Sequence, residues 1–219
     1  MGRAKLPRKS TNIDMTAMCD VAFLLLSFFI LATKAKPPEA IHVTPPTSVA
    51  AKKVPQKDVV LVTLDPSGKV FISMDNVDKK EFIANSIKGT TNPALDVKAF
   101  TKATFWGAPF AGINSFLSIP EEKRTGSALP GIPVDTTKGP NEMVEWMRLI
   151  KTAYAGEKIN LLLKGDNEAK YPAFRAIVDA FKSNDLLKFQ MVTNPEAAPA
   201  GTELWKIWNS GDKSARAEE

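Results

Sequence analysis

The chain has 219 residues, enough for one domain of ordinary size plus a membrane anchor. Its 29 Lys and Arg against 24 Asp and Glu leave a net charge of +5, and no dense Lys/Arg stripe with interleaved aromatics is present, which argues against nucleic acid as a partner. A lone cysteine, Cys19, rules out an intrachain disulfide, and a lone histidine, His42, with no Cys/His cluster rules out the usual zinc sites; no metal or other cofactor is expected.

Residues 1–14 form a basic tail, with Arg3, Lys5, Arg8 and Lys9 and no acid before Asp14. Residues 15–33, MTAMCDVAFLLLSFFILAT, carry one charge, and the stretch 21–32 is apolar but for Ser27. A hydrocarbon core about 30 Å thick needs roughly 20 helical residues, so 15–33 is expected to be a single transmembrane helix. Pro37 and Pro38 stop it soon afterwards. Only Lys34 and Lys36 follow the span closely, so the positive-inside rule places the N-terminus in the cytoplasm and the remainder outside. The alternative is a cleaved signal peptide, with Thr33 and Ala35 marking the cleavage site. Asp20 stands against it, because it falls where such a peptide turns uniformly apolar. Cys19 is not a lipoprotein cysteine, since its apolar run follows it.

Asp20 is the expected chemical centre. A carboxylate at the middle of a spanning helix costs on the order of 2.5–3.5 kcal/mol on insertion scales. Desolvation favours the neutral acid over the carboxylate, which suits a group that takes up and releases protons. Leucine would anchor better, so something other than anchoring uses the acid. At 100° per residue, Thr16, Asp20, Leu24, Ser27 and Leu31 share a narrow stripe, so the most polar side chains of the segment lie on one face. Thr16 and Ser27 are read either as support for Asp20 or as small-residue packing. Cys19, in an apolar setting that disfavours the thiolate, reads as packing.

Residues 34–57, with Pro37, Pro38, Pro45, Pro46 and Pro55, read as a linker, within which 40–44 alternates like a short strand. His42 falls there and reads as a solvated side chain. A folded domain is expected over 58–196. It opens on a hairpin of residues 59–64 and 70–74 joined by the turn Asp65-Pro66-Ser67-Gly68. Residues 85–139 form an insertion whose aromatics, bracketed by Pro and Gly, suggest short helices packed onto the domain. It either covers core or presents a partner surface. A helix follows over 141–155 with Met143, Trp146, Met147 and Ile150 on one face, then a strand over 159–163. A second amphipathic helix over 171–183, opened by Pro172, turns Phe174, Ile177, Val178 and Phe181 inward. The last strand is 189–193. The order ββ…αβαβ gives an α+β fold, a two-layer sandwich preceded by one N-terminal transmembrane helix. The tail, 197–219, carries Leu204, Trp205, Ile207 and Trp208, which either pack on the domain or lie at a membrane surface.

The stretch Ile13-Asp14-Met15-Thr16-Ala17-Met18-Cys19-Asp20-Val21, with its basic tail and aliphatic sequel, resembles the ExbD/TolR family of biopolymer-transport proteins. The family pattern is a Thr-Pro-x-x-Asp-Val opening to the transmembrane helix. Thr16 matches the threonine and Asp20 the proton-carrying aspartate, while Ala17 replaces the usual proline. The layout of the outer domain is also similar, and the 85–139 insertion resembles that of longer family variants. The resemblance implies a protein of the bacterial inner membrane with its C-terminal domain in the periplasm, and a linker strand that pairs with that domain or across a dimer. It further implies a homodimer whose helices sit inside a pentamer of a polytopic ExbB/TolQ-like partner and drive a TonB- or TolA-like protein that spans the periplasm. In that scheme Asp20 carries the proton and Thr16 hydrogen-bonds it from one turn away. A TolR-like envelope linker that binds peptidoglycan or a Tol-type partner is the alternative. An enzyme is not expected: there is no Gly-rich phosphate loop, no Gly-x-Ser-x-Gly, and no His paired with a nucleophile. Acidic pairs such as Glu121-Glu122 have no apolar flank to tune them and read as solvated surface.

Overall fold

The computed structural model describes residues 15–32, 41–49, 55, 57–125, 128–134, 139–203 and 205–206. It divides into two units, residues 1–39 and residues 40–219. In the first, α1 runs over Met15–Ala32 as one unbroken helix of 18 residues. That is about 27 Å of helix, close to the thickness of a hydrocarbon core. Among the described residues it is the one helix long and apolar enough to cross a membrane. Its side chains are exposed throughout, with Ser27 alone partly covered. A helix greasy on every side satisfies its own backbone and leaves its apolar surface to a lipid solvent.

The second unit is built on a five-stranded sheet. Its strands are β2 (Val59–Leu64), β3 (Val70–Met74), β4 (Phe105–Trp106), β5 (Asn160–Gly165) and β6 (Phe189–Met191), in spatial order β4-β3-β2-β5-β6. Strand β2 lies at the centre, antiparallel to β3 and parallel to β5. The β2–β3 connection is the expected hairpin. The Asp65 carboxylate accepts from the Lys69 N–H at 2.7 Å and the Ser67 hydroxyl at 2.8 Å, and Gly68 takes the positive φ (+85°) that closes the turn.

Five helices accompany the sheet: α2 (Val77–Thr90), α3 (Val97–Lys102), α4 (Ile113–Ser118), α5 (Glu142–Ala153) and α6 (Tyr171–Ser183). Helix α6 starts and ends where the sequence places it, with Pro at its N-terminus. Helices α5 and α6 pack together and α2 packs on α5, so the helical layer holds three members, not two. Val60, Val62 and Leu64 from β2 are fully buried in one cluster with Trp146, Met147, Ile177 and Phe181.

Helix α2 corrects the expected boundary at residue 85, which falls inside it. Its buried positions, Lys80, Ile83, Ala84 and Ile87, follow helical spacing, but a lysine occupies the first and breaks the apolar reading. The signal that marks its start is Asn76, whose side chain caps the N–H groups of Asp78 and Lys79.

The insertion completes the core. Residues 105–106 supply the edge strand β4, and Trp106 is fully buried. Phe71 alternates to the sheet face opposite Ile72 and meets Phe105 edge-on at 6.1 Å, and Phe105 meets Phe116 of α4 at 5.7 Å. Gly107 allows this approach, since a Cβ there would lie 2.1 Å from the Phe71 ring. Arg124 locks the segment from within, donating to the carbonyls of Ile119 (2.8 Å) and Leu117 (2.9 Å) over the Phe116 ring.

The linker strand is displaced from its expected place. Residues 41–44 are not a strand; the strand is β1 (Thr47–Ser48), which pairs in parallel with β7 (Asn194–Pro195) outside the main sheet. Alternation alone cannot choose the register of so short a piece, which hydrogen bonds decide instead. Thr33 and most of the linker and tail, Leu204, Ile207 and Trp208 included, lie outside the described residues. Trp205 is 40% exposed.

Candidate functional site

Helix α1 carries the first candidate. Asp20 is its sixth residue, and continuous helical geometry puts Thr16 one turn before it on the same face. Ser27 lies on that face as well, but about 10 Å further along the axis, beyond contact. Its hydroxyl donates to the Leu24 carbonyl at 2.9 Å, so it is satisfied by its own helix. The structure therefore brings Thr16 and Asp20 together and leaves Ser27 apart. Asp20 is exposed, as are Cys19 and the apolar side chains around it. Nothing within the helix shields the acid from whatever solvent surrounds it.

The second unit offers different chemistry. Lys80 is only 7% exposed; its ammonium donates to the Ala103 carbonyl at 3.0 Å and sits 5.4 Å from the centre of the Trp106 ring. Burial pushes its pKa below the usual lysine range, and Asp75 and Glu121 pull it part of the way back. Sequence reading passed over this residue, because the pair Lys79-Lys80 between Asp78 and Glu81 looks solvated. Its contacts tie α2 to the insertion. They leave it no open face for a substrate.

A cleft of about 690 Å³ lies between the β2–β3 turn, residues 130–134 and the start of α6. Prolines and glycines are the commonest residues of its walls, with Lys69, Lys170 and Glu142 among the lining. Burial pushes the Glu142 carboxyl up, and the Phe110 N–H that it accepts at 2.9 Å holds it back. Among the described residues no three His, Cys, Asp or Glu side chains converge to hold a metal. His42 and the Glu121-Glu122 pair are exposed.

Comparison with known proteins bears on α1. Residues 7–99 match the family described as biopolymer transport protein ExbD/TolR. The match takes in Asp20, the linker, the β2–β3 hairpin and α2, and it ends inside α3. Over 79 residues the chain is 30% identical to the biopolymer transport protein exbD2 of Vibrio cholerae serotype O1, a stretch that is 36% of this chain and 58% of that relative. The chain thus spans under two thirds of that relative's length. No solved structure matches the chain. Arg8 and Lys9, the Thr16–Asp20 pair and the hairpin beyond the linker all lie in the matched stretch, and over residues 7–99 this chain is similar to the ExbD/TolR family.

Proposed function

We propose that this protein is the proton-carrying subunit of an energy-coupling complex in the bacterial inner membrane. Helix α1 spans the bilayer with its N-terminus in the cytoplasm, and the domain from residue 58 stands in the periplasm. One observation carries the reading: a single carboxyl side chain, Asp20, on an 18-residue apolar helix whose side chains are exposed, inside the segment that matches the family. In the ionised state the carboxylate needs water or a polar partner. Binding a proton makes an O–H bond, removes the charge and lets the same face turn toward apolar surroundings.

Magnitudes favour the exchange. Holding the charge in the membrane costs on the order of 2.5–3.5 kcal/mol, and one elementary charge crossing 100 mV yields about 2.3 kcal/mol. The two are comparable, so the membrane potential can drive Asp20 between its two states. Two copies of α1 inside a pentamer of an ExbB/TolQ-like protein would convert that alternation into motion, passed on by the outer domain to a TonB- or TolA-like protein.

The test is Asp20→Asn, which keeps the shape and loses the proton. Energy-dependent uptake through the outer membrane is expected to fall to background while the protein stays in the membrane at normal abundance. Normal uptake would end the reading. Normal uptake together with retention on purified peptidoglycan sacculi would point instead to an envelope linker of the TolR kind.

A further inference from the structure

Residues 41–49 are tied to the domain by hydrogen bonds at two places, one at Asp166 and Asn167 and one at residues 194–196. The Thr44 N–H donates to Asp166 Oδ2 at 2.7 Å, and the Asn167 N–H returns a bond to the Thr44 carbonyl at 3.0 Å. Further along, the Pro46 carbonyl accepts from the Asn194 N–H and the Ser48 carbonyl from the Glu196 N–H, both at 2.9 Å. The Asn194 side-chain amide reaches the Pro45 carbonyl at 3.2 Å. The β1–β7 ladder has two register pairs, Thr47 with Asn194 and Ser48 with Pro195. Within 41–49 only Val43 is buried, with Ile41 partly so against the core. A gap of about 180 Å³, lined by Pro46, Asp166, Phe174 and Met191 among others, lies alongside. The segment is bonded to the domain with one buried side chain, Val43.

The next element in the chain is anchored quite differently. Strand β2 pairs with β3 at five positions and with β5 at six, and Val60, Val62 and Leu64 are fully buried. A load applied from the N-terminal side meets the strap first and β2 second. Short exposed ladders with few apolar contacts open at low free energy, while central strands open only with the whole domain.

We propose that residues 43–48 are a releasable strap: tension on the preceding chain detaches β1 from β7 and Thr44 from Asp166 while the five-stranded sheet stays folded. Release frees residues 43–48 and adds up to about 20 Å of extended chain between helix α1 and the domain. Asp166 is the fixed half of the latch. Its own N–H continues the sheet ladder to the Leu64 carbonyl at 3.0 Å, and its Oδ1 accepts from the Glu168 N–H at 2.8 Å. The source of the load rests on the energy-coupling reading; the separate opening of the strap does not.

The first experiment is amide hydrogen exchange on the full chain in detergent. The N–H groups of Thr44, Asn194 and Glu196 are expected to exchange at least a hundredfold faster than those of Val60 and Val62. Asp166→Asn, which keeps an oxygen for Glu168 and turns an amide toward Thr44, should speed the strap amides about tenfold further and leave β2 unchanged. Exchange of strap and β2 amides at one common rate, or strap amides indifferent to Asp166→Asn, would overturn the proposal.

The second experiment closes the latch covalently, with Ser48→Cys and Pro195→Cys in a Cys19→Ser background checked for normal uptake. Oxidation should lower uptake about tenfold and a reductant should restore it. Full uptake in a fully cross-linked chain, in cells where Asp20→Asn abolishes uptake, sinks the strap and spares the proton carrier. Full uptake in Asp20→Asn sinks the proton carrier, and hydrogen exchange then decides the strap alone.

Discussion

Helix α1 and the domain from residue 58 are both rich in apolar side chains and place them oppositely, exposed in the one and buried in the other. In the domain, Trp106, Trp146, Phe100 and Phe110 lie in contact with ring centroids 4.5–6.3 Å apart, and each is at most 4% exposed. In α1, Phe23, Phe28 and Phe29 are each more than 60% exposed. Each region also carries a charge among its apolar groups. Lys80 has a carbonyl and an indole face to compensate its burial, and it serves packing. Asp20 has bare helix around it, and packing gives it no reason to be there. Within a folded core, contacts explain a residue. On a helix with every side chain exposed or nearly so, only the chemistry of the side chain can.

Stability measurements should therefore probe the domain core and be blind to Asp20, while transport measurements should respond to Asp20. The largest expected stability effect is Gly107→Ala. The added methyl would meet the ring of Phe71, itself 1% exposed and unable to swing aside. Overpacking of this kind costs about 1–3 kcal/mol. Thermal melting of the purified full chain should show a Tm lower by several degrees, with membrane extraction behaviour unchanged. An unaltered Tm would mean that the insertion is not part of the cooperative core.

Lys80→Met is the next in size and separates charge from stem. The folded pKa of Lys80 lies below its unfolded value near 10.5. Below the folded pKa both states hold the proton, and the cost of burying the ammonium is fully present. Between the two values the folded state has released a proton that the unfolded state still binds, so stability rises with pH. Burial and nearby acids push the pKa of Tyr154 up as well, which lowers stability in the alkaline range, but that contribution is common to both chains. The difference between wild-type and Lys80→Met denaturation midpoints, followed upward to pH 10.5, should show a rise confined to the wild type. Parallel pH curves would place the ammonium in water.

The same contrast explains what could be read in advance. The hairpin of β2 and β3, helices α5 and α6, and β5 announce themselves through turn residues and one-sided apolar spacing. Helix α2 does not, because Lys80 occupies a core position while Val77 and Phe82 face outward at 57% and 46% exposure. Strand β4 has two residues and owes its place to pairing with Ile72 and Ser73, distant in sequence. The strap's position rests on Asp166 and Asn194, more than 120 residues away from it, which no local pattern records. For Asp20 the signal is a single letter, one acid within an apolar run.

Ser27 brings the comparison to its smallest expected effect and its sharpest form. By periodicity it belongs to the polar stripe with Thr16 and Asp20, and a stripe that lines a proton path would need it. Its hydroxyl, however, donates to the Leu24 carbonyl at 2.9 Å, and it lies two helical turns from the acid. A hydroxyl spent on its own backbone neither orients the carboxyl nor relays a proton. Ser27→Ala should leave energy-dependent uptake within about twofold of wild type, where Asp20→Asn abolishes it, because one neutral side-chain hydrogen bond is worth only about 1 kcal/mol and this one is made to the helix itself. A loss as deep as that of Asp20→Asn would show that the hydroxyl leaves Leu24 in the assembled complex and that the working path extends two turns toward the outer face.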